Sequence, residues 1–428
     1  MTYSRTEEKL MEFMAGLDII DCHEHLPPEK DRTDSWQDVF TLFSHYTRHD
    51  LLSAGMDFDE WRGDEPFAGN RPLYQSLFDY NISLEKRWES FKPYWERIRY
   101  GSYARAALLT AKMVYGFDDI NDQTYKPLSE AIAAENTPGI YKRMLSDRCN
   151  IKAALTQCGF REVQKPLVTV MPGHMFCDIS VPWRFEDAMK HGHINRPADL
   201  DDYLCSIKAV MTEWVTKKNA VGVKFIACEN AEPDRAHAVK NFKKVLQGQS
   251  LDIRLNDFEP LRNFLIHSII DFAVEMDLVV CVHAGVWGDF RKIDSKYMLT
   301  LAPAHPQARF DLYHLGMPSV RDTIVIGKNL PNVYLNLCWT HILSQSQSCS
   351  GIDELLDQVP VNKVLAFGGD YSRPVEKVVG HLHMAREDFA SVFGKRIDQG
   401  LIGFEQACRI LRLWFLDNPL SLYTRLQV

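Results

Sequence analysis

The sequence has no C-x-x-C pair, no internal repeat, no low-complexity tract and no apolar run long enough to span a bilayer. Its longest such runs, LVVCV at 278–282 among them, are of strand length. Its ten cysteines are scattered, and Cys281 and Cys338 fall inside apolar runs, which suits reduced, buried thiols rather than a disulfide framework. Positive charge is in short supply: 49 Lys and Arg against 57 Asp and Glu leave a net charge of -8, so a general footprint for nucleic acid or an anionic membrane is missing. The opening TYSRTEEKLMEF mixes charges of both signs without an apolar stretch or a small-residue cleavage site, so no secretory signal is read and a cytoplasmic location is expected. A small molecule is the expected partner, with no nucleic acid and no membrane; a homo-oligomer is left open.

What is present is core material. With 46% hydrophobic and 11% aromatic residues, 428 residues can fill one elaborated barrel or two to three ordinary domains. Short apolar runs rich in β-branched residues recur, each followed by a helix-like stretch, which is the alternation of βα units around a parallel sheet. Eight such runs stand at 17–21 (LDIID), 151–156 (IKAALT), 167–171 (LVTVM), 221–226 (VGVKFI), 278–283 (LVVCVH), 308–314 (ARFDLYH), 333–337 (VYLNL) and 363–369 (KVLAFGG). Eight units predict an α/β fold, a (β/α)8 TIM barrel, as a single domain over 1–428. Residues 26–150 are too long for a simple βα loop and too aromatic for disorder. They read as a mostly helical insertion after the first strand, emerging at the barrel's C-terminal face as a lid or a subunit contact. The closing FEQACRILRLWFLDNPLSLYTRL has helical apolar spacing followed by an Asn-Pro stop.

The sharpest chemical signal is Asp-Cys-His-Glu-His at 21–25, directly after the first apolar run. Strand residues two apart point the same way, so His23 and His25 can present two imidazoles to one metal ion. Fifteen histidines should give roughly half a His-x-His pair by chance, and there are three, so context decides. His191 and His193 lie in KHGHINRP, read as a surface loop. His381 and His383 lie in GHLHMARED, which reads as a helix, where residues two apart diverge by about 200°. Only the first pair has suitable geometry. Later strand ends add His283 before Ala-Gly, His314 before Leu-Gly and Asp370 before Tyr-Ser-Arg-Pro. Each alone is ordinary for a core imidazole or a helix cap; together, on separate strand ends, they suggest function.

This pattern resembles the amidohydrolase superfamily, in its amidohydrolase-2-like branch of small-acid hydrolases and decarboxylases. The matching pieces are IIDCHEH, VCVHAG, LYHLGMP, NVYLNLCW and VLAFGGDYSRP, at the first, fifth, sixth, seventh and eighth strands. The resemblance implies that His23, His25, His283 and Asp370 hold one divalent metal, zinc first and manganese or iron as alternatives, with His314 beside it. Lys224, in the fourth strand, sits before Phe-Ile-Ala rather than at the strand's extreme end, so a single metal is favoured over a pair bridged by a carboxylated lysine; Lys224 is then substrate-binding or structural.

Such a metal would lower the pKa of bound water and polarise an electrophilic oxygen, with Asp370 as general base and neutral His314 steadying developing charge. A hydrolase acting on a C-N or C-O bond of a carboxylated substrate is expected first. A sugar-acid (uronate) isomerase comes second, since uronate isomerases share the large helical insertion and the Trp339-x-His341 cluster is weakly similar to theirs; a non-hydrolytic decarboxylase is third. Arg291 and Arg373, each shortly after a strand end, are the candidate carboxylate clamps, and Trp287 a candidate pocket wall.

Overall fold

The computed structural model describes residues 3–57, 72–251, 259–286 and 289–428. All eight apolar runs form strands: β1 (Ile19–Glu24), β2 (Ile151–Thr156), β3 (Leu167–Met171), β4 (Gly222–Ile226), β5 (Val279–His283), β6 (Phe310–Tyr313), β7 (Val333–Asn336) and β8 (Val364–Leu365). They lie in one sheet in the order β1 to β8, parallel from β3–β4 through β7–β8. Beyond β8 the Phe367 carbonyl accepts from Cys22 N at 3.0 Å, bringing β1 against the far end of the sheet. The fold is a (β/α)8 barrel.

Two strands differ from their apolar runs. β1 continues through Asp21, Cys22, His23 and Glu24, all buried, because its polar side chains and backbone find partners beyond β8 rather than in water. β8 is only two residues long, because Ala366 N turns to the Trp414 carbonyl and leaves the ladder.

By internal contacts the chain divides into two compact units. One comprises Met1–Ala154, Trp339–Asp353 and Phe367–Leu411, the other Leu155–Cys338, Glu354–Ala366 and Arg412–Val428. In the first unit, the described part of 26–150 is helical, including Thr47–Ser53, Leu84–Ile98, Ser102–Tyr115 and Tyr125–Glu135. Helix Leu84–Ile98 shows why: Ser83 caps its N-terminus by accepting from Lys86 N, and Trp88, Phe91, Trp95 and Ile98 recur on one face. That face packs on Phe40 and Phe43, with Phe43 5.0 Å from Trp95 between ring centres. The buried Arg87 on the same helix is neutralised by Asp38 at 2.6 Å.

Helix Lys377–Asp398, which follows β8, packs on helix Ser102–Tyr115 at Gly380. A Cβ there would meet the Ala106 carbonyl at 2.4 Å and Thr110 Oγ1 at 2.7 Å. Gly380→Ala should therefore cost about 1–3 kcal/mol of stability through overpacking, read as a lower urea midpoint. An unchanged midpoint would refute this packing.

The second unit holds a buried polar chain beneath the strand ends. Asp311 Oδ2 accepts from Tyr423 Oη at 2.5 Å and from Asn336 Nδ2 at 3.0 Å. Burial pushes the Asp311 carboxyl from 3.8 up to about 7, with the Tyr423 and Asn336 hydrogen bonds opposing. The folded state thus keeps a proton that the unfolded chain releases above about pH 4, so this group's contribution to stability falls as pH rises from about 4 to about 7. Asp311→Asn should flatten that part of the stability–pH curve in chemical denaturation; an unaltered slope would contradict the assignment.

Candidate metal centre

The donor atoms His23 Nε2, His25 Nε2 and Asp370 Oδ1 lie within 4.8 Å of one another. Asp370 Oδ1 is 3.4 Å from His23 Nε2 and 3.5 Å from His25 Nε2. These separations are long for hydrogen bonds. They suit co-ligands, because metal bonds of about 2.0–2.2 Å at tetrahedral angles set ligand atoms about 3.4 Å apart. Two imidazole nitrogens and one carboxylate oxygen are also the donor types of a catalytic zinc, manganese or iron site, so the residues present fit a divalent metal.

The backbone explains the aim of each side chain. His23 and His25 stand two apart at the end of β1, their rings edge-on with centres 4.9 Å apart. Asp370 adopts φ 56°, a left-handed conformation that costs a non-glycine residue energy and is kept where surrounding contacts impose it. The contacts are specific: Asp370 N donates to the His23 carbonyl at 2.8 Å, Gly369 N to Asp21 Oδ1 at 3.2 Å and Tyr371 N to Glu24 Oε2 at 2.7 Å. A Cβ on Gly369 would overlap Glu24 Oε1. Burial raises the pKa of both carboxyls, Asp21 to about 7 and Glu24 well above its ordinary value, with the Asp21 charge adding to the latter.

The structure puts beside these groups residues that sequence reasoning passed over. A cavity of about 380 Å³ is lined by Ser44, His45, Tyr74, Gln75, Phe78, Ser372 and Arg373. His45 comes from the insertion, with φ 63°; its Nδ1 is buried and takes no hydrogen bond among the described residues. Burial, then the His25 and Lys377 charges, hold its imidazole pKa well below 6.5, so it is neutral. Its ring lies tilted against Tyr46, with centres 3.8 Å apart, and meets Trp339 edge-on at 5.8 Å. Trp339, at φ 66°, donates from Nε1 to Tyr103 Oη at 2.9 Å. No motif marked His45, because an aromatic-rich insertion carries no period that ties it to a strand end.

In the second unit the structure brings His283 and His314 together. His314 Nε2 and His283 Nδ1 are 3.0 Å apart, His314 Nδ1 is 3.1 Å from the Cys338 carbonyl, and His283 Nε2 is 3.2 Å from the Val286 carbonyl. If His314 Nδ1–H donates to Cys338 and His283 Nδ1–H to His314, then His283 Nε2 keeps its lone pair, the form a metal ligand needs. His314, like Asp370, is left-handed, at φ 62°.

Other candidates fare differently. Arg291 is exposed and its guanidinium is bidentate on Asp289, with Nε–Oδ1 2.7 Å and Nη2–Oδ2 2.9 Å; Asp289 already occupies the fork expected to clamp a carboxylate. Arg373, by contrast, lines the cavity. Lys224 is buried, its Nζ 4.1 Å from the centre of the Tyr313 ring. Trp287 lies outside the described residues. His341 is buried with Nδ1 2.9 Å from Asp388 Oδ2. His191 ends helix Pro182–Gly192 rather than lying in a loop, and pairs with Asp187 on the surface. His381 and His383 are on helix Lys377–Asp398, as expected. Among the described residues no helix is long and apolar enough to cross a membrane.

Two imidazoles and a carboxylate thus converge at strand ends of a parallel barrel, an arrangement that could hold a metal ion. Residues 207–379, less than half of the chain, match the amidohydrolase family model. No curated protein matches the sequence closely enough to be significant. Among solved structures, uronate isomerase from Thermotoga maritima is 15% identical with a TM-score of 0.78, covering 98% of this chain and 97% of its own. Glucuronate isomerase from Caulobacter crescentus is 17% identical at 0.76, covering 99% and 94%. A protein from Lactobacillus casei described as a metal-dependent hydrolase is 14% identical at 0.65, covering 98% and 99%. The barrel fold of these neighbours agrees with the eight-strand reading, and the amidohydrolase match together with the donor cluster suggests a metal ion.

His23→Ala and His25→Ala should each lower bound metal from about one equivalent to a small fraction while the far-ultraviolet dichroism stays that of the wild type, since a metal at a barrel mouth serves chemistry and not folding. Full metal content in either variant, by elemental analysis after gel filtration, would remove that residue as a ligand.

Proposed function

We propose that the chain is a metal-dependent isomerase of a sugar acid, interconverting an aldehyde acid (uronate) and its keto isomer. The observation that carries this reading is the likeness over the full length of both chains, insertion included, to uronate isomerases at TM-scores of 0.78 and 0.76, against 0.65 for the hydrolase-described protein. His23, His25 and Asp370 hold one divalent metal, zinc first and manganese or iron as alternatives. When bound, that ion supplies Lewis acidity to an oxygen of the substrate.

The chain's own groups supply the rest. Arg373 at the cavity wall offers a planar fork of donors to the substrate carboxylate, and the cavity of about 380 Å³ has room for a six-carbon acid. Isomerisation moves one hydrogen from C2 to C1 and one hydroxyl proton from O2 to O1. The Asp370 carboxylate takes the proton at C2, which is acidified by the adjacent carbonyl, and returns one to C1. Neutral His45, its pKa held down by burial, can donate to or accept from a substrate hydroxyl at neutral pH.

Hydrolysis of a C-N or C-O bond is the second reading, favoured by the amidohydrolase family match over 207–379 and by the Lactobacillus casei neighbour. Mass balance separates the two. Metal-loaded protein incubated with D-glucuronate or D-galacturonate in deuterated water should give a ketose that keeps the carbon skeleton intact and carries solvent deuterium at C1, seen by proton NMR. A product set that adds water and splits a carboxylated amide or lactone, with no action on uronates, would overturn the isomerase reading and establish the hydrolase.

A further inference from the structure

We propose that Lys377 is a positioning residue that, through Thr47, fixes the cavity wall formed by Ser44 and His45 of the insertion against the Ser372–Arg373 wall; its bearing on substrate affinity rests on the function proposed above. Lys377 opens helix Lys377–Asp398, four residues beyond Arg373, and is buried to 1% exposure. A lysine almost never sits so deep without a purpose for its head group. Its Nζ donates to Thr47 Oγ1 at 3.0 Å, and Thr47 is itself buried at the start of helix Thr47–Ser53, two residues past His45.

The ammonium is held on several sides. It lies 5.9 Å from the centre of the Tyr103 ring and 6.0 Å from that of Tyr371, at the outer reach of a cation–π contact. Tyr371 immediately follows Asp370, and Tyr103 accepts the Trp339 indole N–H. The charge of Asp50, three residues past Thr47, supports the ammonium against its burial. Burial brings Lys377 down to about 7 and Asp50 up to about 6, each opposed by the other's charge. His45 and His381 also feel the Lys377 charge.

The local chain shows what this link does. Ser44, His45, Ser372 and Arg373 all line the cavity. Between Arg373 and Lys377 the backbone turns tightly, with Lys377 N donating to the Pro374 carbonyl at 2.9 Å. One side-chain hydrogen bond therefore joins a segment that begins at Arg373 to one that begins at Ser44, across 330 residues of sequence. Lys377 touches none of the proposed metal donors, so its loss should alter the cavity's walls and leave the metal in place.

The test compares Lys377→Met, which keeps the length and apolar stem, with Thr47→Val, which keeps the shape and removes the acceptor, and with the double variant. Hydrogen exchange should rise over residues 44–53 in both single variants and not throughout the chain. KM for the uronate should rise about tenfold while kcat and metal content stay within about twofold, and the double variant should be no worse than either single one. Should Lys377→Met fail to fold, Thr47→Val alone carries the comparison. Unchanged exchange over 44–53, or additive effects in the double variant, would overturn the proposal. If no uronate is turned over by the wild type, the proposed function fails while the exchange measurement still decides the role of Lys377.

Discussion

The arrangement depends on one constraint, the docking of the segment after β8 on the buried polar end of β1. Asp21 and Glu24 accept from Gly369 N and Tyr371 N, on either side of Asp370, while Asp370 N donates to the His23 carbonyl. Carboxyls this deep are costly unless hydrogen-bonded or protonated, and burial raises the pKa of both, as it does for any acid moved out of water. In return they hold a non-glycine residue in a left-handed conformation. That conformation turns the Asp370 carboxylate towards the two imidazoles of β1.

The same device recurs along the sheet. His314 after β6 and Trp339 after β7 are also left-handed, so the chain bends sharply as it leaves three successive strands. Strain of this kind persists where neighbours over-determine it, and it gathers at sites that must hold side chains in one pose. Around the first unit's site a second layer, Tyr103, Trp339, Tyr371 and Lys377, ties the insertion to the helix after β8. The insertion brings His45 to the cavity wall.

The fold was legible because each strand is an apolar run with polar punctuation, a pattern set by burial on both faces of a parallel sheet. The His23-x-His25 pair was legible for a related reason: a strand's period of two aligns alternate side chains. Asp370 could be picked out after an apolar run and two glycines, though its φ could not. Sequence alone could not separate Arg291 from Arg373, since both closely follow strand ends. What separates them is Asp289, whose carboxylate fills the Arg291 fork. His45 and Lys377 were invisible because their roles arise from contacts between segments distant in sequence, and no local pattern records such a contact.

The central claim is that His23 Nε2, His25 Nε2 and Asp370 Oδ1 are ligands of one divalent ion. The most direct measurement is an anomalous difference map from crystals grown with zinc or manganese and collected at that metal's absorption edge. The account predicts a single strong peak about 2.0–2.2 Å from all three atoms. A peak elsewhere, or none at these atoms in metal-saturated crystals, would contradict it.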